Sequence, residues 1–122
     1  MFSANGTREV YDVAALYASD VTQGMSREVG GEPWTADGLA RMSRWDPARH
    51  ASALATPLLI IHGAKDYRVP DTQGMELYGV LRAKGIPARF VHYPDENHWI
   101  LKPRNSLHWY GEFLGWLARH LA

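Results

Sequence analysis

Apolar residues concentrate in two short runs, Leu58–Ile61 and Ala88–Tyr93, and the segment between them has a different rhythm. In Leu58-Leu59-Ile60-Ile61 no polar residue alternates. That pattern suits a strand buried on both faces, in the middle of a sheet covered by helices. Met75, Leu77, Tyr78 and Leu81 then recur at helical spacing and predict a helix over Asp71–Lys84. Asp71 or Thr72 can cap it, Gly85 stops it, and Ile86-Pro87 leads out. The second run mixes in polar residues, and Arg89–Tyr93 within it reads as a strand nearer a sheet edge, ended by Pro94. A helix of that length between two strands is a crossover, so the strands should be parallel. Downstream, Leu107, Trp109, Tyr110, Phe113, Leu114, Trp116, Leu117 and Leu121 line a final helix running to about His120. Asn105 or Ser106 can cap that helix, which should lie against the sheet.

The amino-terminal part is less regular. Met1–Arg8 is polar, with a turn at Asn5-Gly6. Glu9–Tyr17 predicts irregular chain entering a helical turn, and Val10 can end a short strand. Gly24, Gly30, Gly31, Pro33 and Gly38 make Ala18–Gly38 mostly loop with short helical pieces, anchored to the body by Trp34. Leu39–Trp45 predicts a short helix stopped by Pro47, and Pro47–Ala51 another helical turn. Pro57 stands just ahead of the first strand, where a missing N–H is tolerated.

Composition narrows the class. A chain of 122 residues suffices for one small domain. Its 13 basic and 13 acidic residues give no basic excess of the kind a nucleic-acid or membrane surface needs. No apolar run approaches bilayer length, and no basic-then-apolar leader follows Met1, although a leader can be removed from a longer precursor. A soluble protein is expected, with cytoplasm and periplasm both open. The absence of cysteine removes disulfides and a thiolate nucleophile from consideration.

Each strand runs into a polar loop: His62-Gly63-Ala64-Lys65-Asp66 after the first, Asp95-Glu96-Asn97-His98 after the second. Open α/β sheets place their chemistry on loops at the carboxyl ends of parallel strands. Asp66 and His98 are therefore the candidate catalytic residues, an acid and a base on neighbouring loops. Taken alone, Asp66 also suits a turn. His62 reads as a packing or hydrogen-bonding residue at the strand end, Val69 and Pro70 as shaping the acid loop, and Lys102 and Arg104 as a solvated rim. A paired-carboxylate site of Glu96 with Asp66 or Asp95 explains Asp66 less well. A metal site from His92, His98 and Asp66 lacks the i,i+4 ligand spacing of a helical zinc site. No metal and no cofactor is expected.

The pattern HGxxDxxVPxxQ at His62–Gln73, LYxxLxxxG at Leu77–Gly85 and YPxENH at Tyr93–His98 resembles the end of an α/β-hydrolase catalytic domain. More narrowly it resembles the prolyl oligopeptidase family of serine peptidases (peptidase S9), in its dipeptidyl-peptidase and acylaminoacyl-peptidase branches. The likeness is strongest from Pro57 to Leu121, and Gly30–Trp34 and Ser43–His50 resemble the region just before. It implies an α/β chain that is the carboxyl-terminal fragment of an α/β-hydrolase fold, its last parallel strands and flanking helices. Residues 1–122 would be a partial catalytic domain, with strand, loop and short helices over 1–56 and a β-α-β-α unit over 57–122. Asp66 would be the triad acid and His98 the triad base, in the chain order nucleophile, acid, histidine. The implied substrates are short peptides, cut near the amino terminus.

One part of the family pattern is missing. None of Ser3, Ser19, Ser26, Ser43, Ser52 and Ser106 lies in a G-x-S-x-G elbow. The nucleophile is then expected outside the chain, and the isolated chain inactive. Two strands alone make a poor sheet, and Leu58–Ile61 wants a neighbour on each edge. The expected partner is a missing amino-terminal portion of the same enzyme or a second copy of the chain. The alternatives are a carboxylesterase-like hydrolase piece and a non-catalytic, self-assembling remnant.

Overall fold

The computed structural model describes residues Val10–Leu121, so the turn expected at Asn5-Gly6 lies outside the described residues. In chain order the elements are α1 (Thr22–Val29), α2 (Ala36–Ser43), β1 (Leu58–Gly63), α3 (Thr72–Ala83), β2 (Ala88–Tyr93) and α4 (Pro103–His120). Turns of 3-10 helix cover Ala14–Ala18 and Pro47–Ala53. β1 and β2 pair in parallel, from Leu58 opposite Ala88 to Gly63 opposite Tyr93. The α3 crossover joins them, as the spacing predicted.

Alternation divides β1 between two apolar layers. Ile60, with Leu58, Ala88 and Phe90, packs with Leu77 and Leu81 of α3 and with Tyr11 from the start of the described chain. Ile61, with Leu59, Val91 and Tyr93, packs with Ile100 and with Trp109 of α4. Both faces of β1 are therefore buried, and the all-apolar run finds its reason here. Ile60 is 0% exposed, and burial of such a side chain stabilises by about 1.5–3 kcal/mol.

α3 begins one residue later than expected, and Asp71 makes no capping hydrogen bond. Its carboxylate instead meets His92 Nε2 at 2.9 Å, fastening the start of α3 to β2. On α3, Leu77 and Leu81 are buried but Met75 is exposed. At the other end Lys84 Nζ donates to the carbonyls of Ala51 and Ser52, at 2.6 and 2.7 Å. α4 reaches His120 but begins at Pro103, where proline's missing N–H costs nothing. Asn105 and Ser106 do not cap it and are used elsewhere.

The upstream segment is more helical than its glycines suggested. α1 occupies Thr22–Val29 and ends on Gly30, whose φ of 76° is the left-handed closure that glycine adopts without strain. α2 starts at Ala36, three residues before the predicted Leu39, because Thr35 caps it by accepting from Gly38 N at 3.0 Å. Among the described residues no strand precedes β1 and Val10 itself is in none; the rest of the strand expected to end there lies outside the described residues. Trp34 is 71% exposed and meets Tyr17 edge-on, so it is not buried against the body as an anchor would be. Gln73, buried on α3, accepts the N–H groups of Tyr11 and Asp12 at 2.8 Å each. Arg68 grips Asp20 with Nε at 2.6 Å, and Asp20 N donates to Tyr67 O at 2.7 Å.

Candidate active site

The strand pairing does not stop where the strands do. Ala64 N donates to Tyr93 O at 2.8 Å, and Lys65 N to Glu96 O at 2.9 Å. The loops after β1 and β2 are thus stitched together by their backbones. Gly63 permits it: a Cβ there would lie 2.5 Å from Asn97 O and 2.6 Å from Glu96 O. No side chain fits between the loops, which decides the residue type at that position.

Asp66 is carried on this stitched segment with its side chain fully buried. Oδ1 accepts the N–H groups of Arg68 at 3.0 Å and Val69 at 2.9 Å, closing a tight turn around the carboxylate. His62, on the α3 side of β1, supports the turn from beneath. Its Nε2 lies 2.8 Å from Val69 O and 3.5 Å from Asp66 Oδ2. A carbonyl only accepts, so that nitrogen carries the proton. Burial pushes the Asp66 carboxyl up. The hydrogen bonds from His62, the Val69 N–H and His98 together outweigh it and leave the group below the ordinary value of 3.8.

His98 arrives from the loop after β2. Its Nδ1 sits 2.9 Å from Asp66 Oδ2 and 3.1 Å from Oδ1. A carboxylate ionised at neutral pH can only accept, so Nδ1 holds the ring proton and Nε2 of the neutral ring keeps its lone pair. Among the described residues nothing hydrogen-bonds Nε2, and the side chain stays 13% exposed. Trp99 packs edge-on against the ring at 5.2 Å. The two residues singled out by the sequence are thus brought together in the geometry of an oriented base.

The competing readings separate in space. His92 bonds Asp71 and stacks on Phe90, and does not join His98 and Asp66. Among the described residues no cluster of three His, Cys, Asp or Glu side chains is arranged to hold a metal. Asp95 faces solvent and pairs with Lys102, while Glu96 is buried and turned into its own loop. A cavity of about 370 Å³ between β2 and α4 is lined by Arg89, His108, Glu112 and Trp116, and by neither Asp66 nor His98. Arg89 and Glu112 already form a two-bonded ion pair there, at 2.5 and 2.6 Å. Sequence reasoning gave Glu96 no part in holding the site. Two of its three donors are backbone N–H groups, which leave no side-chain signature.

Known proteins match this arrangement. The sequence model of the prolyl oligopeptidase family covers residues 5–122. Dipeptidyl-peptidase 5 of Aspergillus fumigatus is 46% identical over 98 residues, 79% of this chain and 13% of that protein. Dipeptidyl-peptidase 5 of Schizosaccharomyces pombe is 38% identical over 116 residues, 95% of this chain and 16% of that protein. In three dimensions the chain is similar to uncomplexed Pyrococcus horikoshii acylaminoacyl peptidase, with a TM-score of 0.78 and 26% identity. That match covers 92% of this chain and 19% of the solved one. The orthorhombic crystal form of the same peptidase gives a TM-score of 0.80 at 25% identity, over 91% of this chain and 18% of the solved one. This chain thus spans under a fifth of the length of each protein it matches here, and its α/β unit has the α/β-hydrolase arrangement. Alike in sequence and in shape over most of its length, the chain belongs to the prolyl oligopeptidase family.

Proposed function

We propose that Asp66 and His98 are the acid and base of a serine-peptidase triad whose nucleophile lies outside this chain. The observation that carries the reading is the bond from His98 Nδ1 to both oxygens of a buried, ionised Asp66, at 3.1 and 2.9 Å. In that state His98 Nε2 takes the proton of a serine hydroxyl as its oxygen attacks the scissile carbonyl. Asp66 holds the tautomer and stabilises the imidazolium. The imidazolium returns the proton to the departing amine, leaving an acyl-serine. Water then attacks that ester, giving its proton to the same nitrogen, which passes it to the serine oxygen as the acyl–oxygen bond breaks and the carboxylic acid leaves. None of the described serines hydrogen-bonds His98: Ser106 donates to Ile100 O, and Ser26 engages Glu32. This supports a serine supplied by a longer polypeptide, of which the chain is the carboxyl-terminal part.

The substrates follow from the relatives: short peptides, processed near the amino terminus. Mixing the chain with the amino-terminal part of the same enzyme should give turnover of aminoacyl-p-nitroanilides, lost in His98→Ala and in Asp66→Ala. The chain alone should be silent. Turnover by the pure chain that His98→Ala abolishes would disprove the external serine. A strong preference of the reconstituted enzyme for short acyl esters would instead make it an esterase.

A further inference from the structure

We propose that Glu96 is the positioning residue of the histidine loop, fixing His98 through three donors that converge on its carboxylate. The inference rests on the reading of His98 as the base and assigns the group that holds it. Glu96 is 4% exposed. Oε2 accepts Leu101 N at 3.0 Å. Oε1 accepts Lys102 N at 3.0 Å and Asn105 Nδ2 at 2.7 Å. The backbone oxygen of the same residue accepts Lys65 N from the acid loop. One residue therefore links the end of β2, the loop of Asp66, the exit of the histidine segment and the first turn of α4.

The side-chain bonds close residues 97–100 into a ring, with His98 on its rim. The ring contains a costly conformation. Ile100 has φ of 48°, the one positive value among the described non-glycine residues, and its side chain is buried beside Val91 and Tyr93. A β-branched residue keeps such a backbone only when its surroundings over-determine it. Here Ser106 Oγ donates to Ile100 O at 2.9 Å, and Asn97 Oδ1 accepts Trp99 N at 2.9 Å. The Glu96 carboxylate closes the circuit.

Chemistry selects a carboxylate at this place. Two backbone N–H groups and an amide NH₂ point at one side chain, so it must accept on both oxygens. Glutamine would turn an NH₂ toward one of those donors. Glu96 touches no reacting atom, and its effect runs through the His98 ring.

The test uses the full 122-residue chain, labelled with ¹⁵N. In wild type the His98 Nδ1 proton, shared with Asp66, should give a downfield signal protected from solvent. In Glu96→Gln that signal should be lost and the His98 ring resonances shifted, while the ring resonances of His92 stay in place. A folded Glu96→Gln chain with the wild-type His98 signal would sink the proposal. So would equal disturbance of His92, which would make Glu96 a general stabiliser. Where Glu96→Gln does not fold, Asn105→Ala decides, because it removes a single donor: the His98 signal should broaden, and an unchanged one refutes the assignment. In the reconstituted enzyme Glu96→Gln should lower kcat at least tenfold with KM little changed. The magnetic-resonance readout needs no turnover. Full activity of reconstituted His98→Ala would therefore overturn the catalytic reading and leave the loop result standing.

Discussion

At the scale of single residues, Asp66 combines two opposed effects. Burial disfavours its charge, and the hydrogen bonds from His62, Val69 and His98 favour it by more. The carboxyl consequently binds its proton less readily in the folded chain than in the unfolded one. The stability this gives is fully present above about pH 5 and is lost as the pH falls through 3.8 toward the lower folded value. Asp66→Asn should remove that acid-limb dependence. At pH 7 it should cost about 1–3 kcal/mol, because a buried donor loses its acceptor. Urea midpoints of both proteins from pH 3 to 7 check the two claims together, and parallel acid limbs would contradict them. Asp66 and His98 were legible in the sequence because their side chains themselves form the motif. Glu96 was legible only as a rejected partner for another carboxylate. Its donors lie five, six and nine residues downstream, two of them on the backbone, and appear only once Ile100 has turned the chain back.

At the scale of elements, the strands and their crossover could be read closely. β2 starts one residue before the predicted Arg89 and ends at the predicted Tyr93, and β1 runs two residues past the predicted Leu58–Ile61 run into the acid loop. The reason is physical: a strand buried on both faces has no room for polar alternation, and Gly85 and Pro94 punctuate the unit. Glycine misled upstream, where α1 forms across Gly24 and, among the described glycines before β1, only Gly30 takes the left-handed conformation. The joint between the loops of Asp66 and His98 depends on Gly63. Gly63→Ala places a methyl group against backbone atoms that no side-chain rotation can clear. It should destabilise by about 1–3 kcal/mol, as overpacking commonly does, and lengthen the contact between His98 and Asp66. Thermal unfolding measures the first effect and the His98 Nδ1 proton signal the second; an unperturbed Gly63→Ala chain would show that the loops have slack.

At the scale of the whole molecule, the apolar surface is only partly covered. Trp109 packs against the sheet and Trp116 is buried, while Leu107, Tyr110 and Leu114 are exposed, spaced three and four residues apart along α4, with Leu121 exposed just past its end. Such a stripe lies on one helical face. β1 has a single neighbour among the described residues, although both its faces are buried. The final helix was legible from its apolar density, but the sequence could not divide that density between an inward and an outward side. The chain alone should therefore associate, eluting from size exclusion as a dimer or larger at micromolar concentration; a well-folded monomer there would refute this. The attachment of the opening segment has a different consequence. Tyr11 and Asp12 belong to no helix or strand, yet both give their N–H groups to Gln73 on α3. Their exchange with deuterated water should be slow and should keep pace with the interior of α3. In Gln73→Ala it should accelerate at those two amides first, so an irregular stretch of backbone becomes a clock for the opening of a helix.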